Sequence, residues 1–338
     1  MLFRRVFPKI FVIFFELNHM PQNISGISVT SKTTLSEYAQ MLKSGGFQAS
    51  ELGKAVDVVS AMKKDNSYTF LAFTSNMVSG GMRELFAELC KRKFCDAVVT
   101  GVGSVEEDIM KISKPFLLGS FNEDDVKLHS KGINRIGNVL VPNDRYVLLE
   151  KLDMEFYSRI FESKKEKRPN GKFRAVITPS EMVFEYGKFI AEKFKGNKAL
   201  ESSWVYWAYK NNIKVILPAP TDGAMGMHLA FFRQDYDLVI DAGGDMRAIG
   251  TDVGFAKKTG AIILGGGFAK HHTIGLNIMR GGLDYAVYVS TGTQYDGSMT
   301  GARTNEAVSW GKISDKAKSA YVEGDATVLF PILISPFL

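Results

Sequence analysis

The stretch "YTFLAFTSNMVSGGMRELFAELCKRKFCDAVVTGVGSVEEDIMKI", residues 68–112, decides the fold. YTFLAF (68–73) is a short apolar run, suited in length and content to a strand buried on both faces. A polar, glycine-rich turn, TSNMVSGG (74–81), follows it. MRELFAELCKRK then spaces its apolar residues as a helix does, DAVVTG (96–101) is a second strand, and GSVEEDIMKI opens a second helix. Strand, turn and helix repeated in this order is the pattern of parallel strands joined by crossover helices.

The same alternation extends outward. Upstream, SEYAQMLKSGGFQASELGKAVDVVSAMKK reads as two helices parted at Gly45-Gly46. Downstream, NIKVILPAP (212–220), YDLVIDAGG (236–244), GAIILGGG (260–267) and DYAVYVST (284–291) are four further strand candidates. We expect one α/β domain over residues 35–338, a doubly wound and largely parallel sheet with helices on both faces. The segment 160–180, with its charged run KKEKR, is expected to be a surface insertion.

Composition narrows the function. Hydrophobic residues at 45% and charged residues at 23% describe an ordinary globular protein, and 338 residues suffice for a large core. The net charge of +6 is dispersed, and no aromatic-and-basic motif accompanies KKEKR, so nucleic acid is not expected as a partner. Two cysteines, Cys90 and Cys95, allow neither a disulfide framework nor a zinc spacing, which fits reduced thiols in a cytoplasmic enzyme. The opening MLFRRVFPKIFVIFFELNH is broken by Pro8 and Lys9 and has no cleavage site. It reads as a flexible or misassigned leader, with Met20 as the start and no membrane span.

Three glycine turns follow strands and precede helices: TSNMVSGG, GVGS (101–104) and LGGGFAKHH (264–272). Free amides at such helix starts attract phosphate, so together they suggest a nucleotide site, although none has the G-x-G-x-x-G spacing. His271 and His272 are adjacent, point apart on a helix and lack a third ligand at suitable spacing. Their residues specify no metal site, and a histidine near the strand ends suits a general base. In NEAVSWGKI (305–313), Lys312 follows Trp310 and Gly311. Spacing alone reads it as a solvated lysine ending an amphipathic helix; buried, it would be a Schiff-base nucleophile beside an aromatic wall.

LGGGFAKHH, DYAVYVSTGTQYDGSMTGARTNEAVSWGKI and EGDATVLFP resemble the motifs of the deoxyhypusine synthase family, as do GFQASELGKAV, FTSNMVSGGMRE, KGINRIGNVLVPNDRY and LPAPTDGAMG. The resemblance runs from about residue 35 to 332 and leans toward the eukaryotic branch. It implies a Rossmann-like fold and NAD-dependent transfer of the aminobutyl group of spermidine, through an enzyme lysine, to a lysine of the hypusine-bearing translation factor. It further implies a homotetramer with sites between subunits. Carried over by position, Lys312 is the nucleophile and His271 the base. Ser75, Asn76, Met77, Val78 and Ser79 form one cofactor turn, and Gly101, Val102 and Gly103 a second. Glu107, Asp222, Gly266, Thr291, Asp325 and Ala326 are further NAD contacts. Glu106, Glu107, Gly297, Ser298, Met299, Glu306 and Trp310 line the polyamine pocket.

The sequence departs from that pattern where Met227 and Met299 replace ammonium-gripping aspartates and Gly275 replaces an asparagine. Each lost charged contact costs on the order of 1.5–3 kcal/mol when desolvated, so amine recognition is expected to be weakened or altered. The alternatives are a homospermidine synthase-like transferase and a weakly active subunit that pairs with a paralogue.

Overall fold

The computed structural model describes residues 23–338; the leader and Met20 readings fall largely or wholly outside them. Six strands make the central sheet: β1 (Tyr68–Phe73), β2 (Ala97–Thr100), β3 (Lys214–Ile216), β4 (Thr259–Leu264), β5 (Leu283–Ser290) and β6 (Ile313–Glu323). Their order across the sheet is β6-β5-β4-β1-β2-β3, and every pairing is parallel. The direction of winding therefore reverses between β1 and β4, whose last paired residues are Phe73 and Leu264. In such a sheet the ligand crevice lies beyond the carboxyl ends of the strands at the reversal.

The helices follow from the local chemistry. α1 (Leu35–Met41) begins at a Thr34–Glu37 capping box, and α2 (Gln48–Lys64) starts beyond the expected glycine break. α3 (Arg83–Lys91) and α4 (Val102–Ser113) are the crossovers read around the opening stretch. Between them and the sheet, Phe73 stacks on Phe86 at 4.0 Å and meets the edge of Trp204 at 5.6 Å. α5 (Asp144–Lys164), α6 (Pro179–Lys193) and α7 (Ala224–Phe232) build the wall behind α4. α8 (Gly267–Gly275), α9 (Thr304–Ser309) and α10 (Ala326–Ile334) start or lie beyond the ends of β4, β5 and β6.

Two expectations are corrected. Residues 160–180 are no insertion: α5 runs to Lys164, and Glu166–Lys167 pairs antiparallel with Phe173–Ile177 around a turn at Gly171. Nor does Asp237–Ile240 join the central sheet; it pairs parallel with Phe173–Ile177 in a separate three-stranded sheet. The physical reason is burial. β1 and β4 are covered on both faces, whereas Phe173–Ile177 buries only Ala175 and Ile177 and leaves its other face toward solvent. A third small sheet holds Ile133–Ile136 and Val139–Pro142. No helix among the described residues is long and apolar enough to cross a membrane.

Candidate active site

The end of α9 explains the Trp-Gly-Lys order. Trp310 caps the helix and Gly311 takes φ +65°, the left-handed region that glycine enters without a Cβ clash. The Gly311 N–H donates to Val308 O at 2.9 Å and the Lys312 N–H to Ala307 O at 3.0 Å, the bond pair of a Schellman motif. This turn folds the Lys312 side chain back under Trp310. Its Nζ sits 5.1 Å from the Trp310 ring centre, and the residue is only 8% exposed, while Trp310 is 67% exposed.

Lys312 lines a cavity of about 230 Å³ together with His271, Met299, Glu306 and Trp310. Sequence reasoning missed three other members: Lys270, Tyr288 and Arg303. Lys270 is buried, donates to Ala302 O at 2.5 Å and lies 4.3 Å from the Tyr288 ring centre. Burial pushes its amine down to about 8, with Glu306 pulling the other way. The Tyr288 hydroxyl is buried without a hydrogen-bond partner among the described residues. An orphaned hydroxyl in a cavity wall awaits a polar ligand. Only Tyr288 sits in an apolar run; Lys270 is followed by two histidines and Arg303 by Thr304 and Asn305, so nothing in the sequence marked those two.

A second cavity, about 320 Å³, lies at the winding reversal and is lined by Thr74, Asn76, Met77, Gly266, Thr291, Thr300, Asp325 and Ala326, among others. Met299 and Thr300 are sequence neighbours that wall the two cavities, and Gly266 and Lys270 bracket the start of α8 between them. α4 and α8 begin at Gly101 and Gly266 with no side-chain cap, so their first amides are free. A Cβ on Gly101 would fall 2.9 Å from Ser75 Oγ, and one on Gly103 3.2 Å from it. Bare backbone at these turns is thus a packing requirement as well as an anion cradle.

Glu106 and Glu107 are side by side on α4, both buried, and lie in neither cavity's lining. Glu106 Oε1 accepts from the Met225 N–H at 2.7 Å, and Glu107 Oε2 accepts from Ser79 Oγ at 2.6 Å. Burial pushes each carboxyl up to about 7, opposed by those hydrogen bonds. Val78 and Ser79 are buried in a tight turn whose Gly81 has φ +98°. Asp222, Gly297 and Ser298 are exposed and line neither cavity, and Val102 is packed in the core. Met227, on α7, is 61% exposed, so the two methionine departures stand in different surroundings.

Comparison with known proteins gives the family of the chain. The family model for deoxyhypusine synthase matches residues 37–337. A probable deoxyhypusine synthase of Pyrococcus furiosus is 43% identical over 92% of this chain and 93% of its own length. One of Pyrococcus abyssi is 46% identical over 86% of each. The deoxyhypusine synthase of the plant Senecio vernalis is 41% identical over 88% of this chain and 85% of its own length. These identities do not single out the eukaryotic branch. A solved structure of a putative deoxyhypusine synthase from Entamoeba histolytica shares the fold, with TM-score 0.63, 24% identity and coverage of 90% of this chain and 93% of that one.

Proposed function

This chain belongs to the deoxyhypusine synthase family and is an aminobutyl transferase, and from that premise we propose how its residues divide the work. The observation that carries the assignment is the convergence of Lys312, His271, Glu306 and Trp310 on one cavity, next to a second cavity at the sheet's reversal. Spermidine is the donor, and the acceptor is a lysine of the hypusine-bearing translation factor. Lys312 Nζ takes the four-carbon fragment as an imine, releasing diaminopropane, and then hands it to the acceptor amine. His271 removes the proton that the attacking amine must lose. Glu306 and the Trp310 face hold the substrate's ammonium end. The open side of Trp310 leaves room for a protein acceptor.

NAD fits the second cavity on two features of this chain, the uncapped starts of α4 and α8 and the bare glycine turns beside Ser75. Bound there, NAD would accept a hydride from the amine carbon and return it after transfer, so the net reaction is redox-neutral. Ser75 to Ser79 and Gly101 to Gly103 would form the two turns that hold it, with Gly266, Thr291, Asp325 and Ala326 around it. Asp222 and Glu107 would complete its contacts. Glu106, Glu107, Gly297 and Ser298 would meet the polyamine. We further take residues 35–338 as one domain, acting in the cytoplasm as a homotetramer whose sites lie between subunits. The curated relatives named above are called deoxyhypusine synthases, and nothing in the site favours the homospermidine-forming or paralogue readings.

The test is borohydride trapping with NAD and labelled spermidine, followed by peptide mapping. Label is expected on Lys312 and, in Lys312→Arg, nowhere, with turnover reduced by at least about a thousandfold. Label absent from Lys312 in protein loaded with dinucleotide and amine would overturn the assignment.

A further inference from the structure

Behind Glu106 lies a buried polar cluster that the reaction scheme leaves unused. Asp153 on α5 is fully buried; its Oδ2 stands 2.6 Å from His228 Nδ1 on α7, and its Oδ1 accepts from Tyr186 OH on α6 at 2.6 Å. One turn along α5, Tyr157 OH donates to Met225 O at 2.8 Å. Glu106 binds the other side of that residue, through the Met225 N–H. The peptide groups of Met225 are therefore gripped from α5 and from α4. α7 has no cap of its own, because its first turn starts at Gly223, where a Cβ would fall 2.4 Å from Glu106 Oε1.

We propose that the Asp153–His228 pair is a positioning unit for Glu106. It locks α7 against α5 and α6, fixes the backbone that Glu106 grips, and sets the His228 imidazole behind that carboxylate. The unit matters here because Met227 on α7 offers an amine no charge, and Glu106 is the carboxylate that the first turn of this helix binds. This rests on the reading of Glu106 as an amine contact.

The charges around Glu106 support the direction. Asp153, Tyr157 and Tyr146 face it from α5, His228 from α7, Tyr186 from α6 through Asp153, and Glu107 adjoins it on α4. Of these His228 favours the anion by charge while Asp153 opposes it more strongly, so loss of the imidazole leaves the opposing charge unbalanced. The imidazole of His228 is shifted upward chiefly by its hydrogen bond to Asp153, against burial, with Glu150 adding to the pull, while burial shifts the Asp153 carboxyl upward as well. An isolated buried carboxyl would stay protonated and could not hold an ammonium.

The experiment is the pH profile of kcat/KM for spermidine in wild type, His228→Gln and Glu106→Gln. The acid limb of His228→Gln is expected to move up by about one pH unit, about tenfold in kcat/KM below it, with kcat at pH 9 within about threefold. A purely structural role would lower activity at all pH values alike. Tyr186→Phe, which removes only a hydroxyl from Asp153, should move the limb the same way by less, and serves if His228→Gln does not fold. An unmoved limb in the folded variants, while Glu106→Gln abolishes it, overturns the proposal alone. A Glu106→Gln enzyme that keeps both the limb and the wild-type amine KM overturns the underlying reading of Glu106, and the proposal with it.

Discussion

Two lysines share one small cavity, yet they are different chemical objects. Lys270 is hydrogen-bonded to a carbonyl and seated on Tyr288, whereas Lys312 is held by the turn that ends α9 and has no ion-pair partner among the described residues. With Arg303 they outnumber Glu306, the one carboxylate in the lining. A polycation entering this cavity meets like charge, and Met299 does nothing to offset it. Met299→Asp should therefore lower the KM for spermidine, by roughly ten- to a hundredfold if the new carboxylate forms a desolvated ammonium contact. It should also slow turnover, because a carboxylate beside Lys312 favours the protonated, non-nucleophilic amine. Steady-state kinetics separates the two, and an unchanged KM with unchanged kcat would place Met299 outside the amine's reach. The motif text pointed to Lys312 and Met299, but it said nothing of Lys270, since buried lysines look the same in sequence as exposed ones.

At the scale of elements, the short α9 shows how a backbone conformation places the Lys312 amine. Six residues make a marginal helix, and its end is fixed by the two Schellman bonds through Gly311. Nothing stands within 4 Å of a Cβ built there, so Gly311→Ala creates no clash and tests the φ of +65° alone. It should cost about 1 kcal/mol in stability and lower kcat more than NAD affinity, because the strained turn carries Lys312 but not the β1 and β2 turns. Calorimetric NAD titration beside turnover measures both; equal losses would show that the turn does not specifically position the lysine. Elements were readable where one pattern dominated, as in the largely apolar β1, β4 and β5. β6 escaped notice because ISDKAKSAYVE is an edge strand whose exposed residues are aspartate, lysine and glutamate. Phe173–Ile177 escaped because a charged run hid a half-buried strand.

The whole molecule carries the energetic cost of its site. The three acidic side chains of EED at 106–108 are all buried. Asp108 is compensated, paired with Arg83 at 2.7 Å and bonded to Ser203 at 2.5 Å. Glu107 has only Ser79 and the partial help of Lys111, and burial lifts its carboxyl to about 7 from an ordinary 4.5. Between those values the folded chain binds more protons than the unfolded chain, so this group's contribution falls as pH rises through that window. Above about pH 8 the native state bears the full penalty of a buried charge. Below about pH 4.5 both states are protonated and the penalty is gone. Glu107→Gln, which keeps an acceptor for Ser79, should thus be more stable relative to wild type at pH 8 than at pH 5, by up to about 3 kcal/mol. Denaturant unfolding of both proteins at equal chain concentration reads the difference. The same gap at both pH values would mean that Glu107 ionises as an exposed carboxylate does, and that its burial imposes no stability cost on the fold.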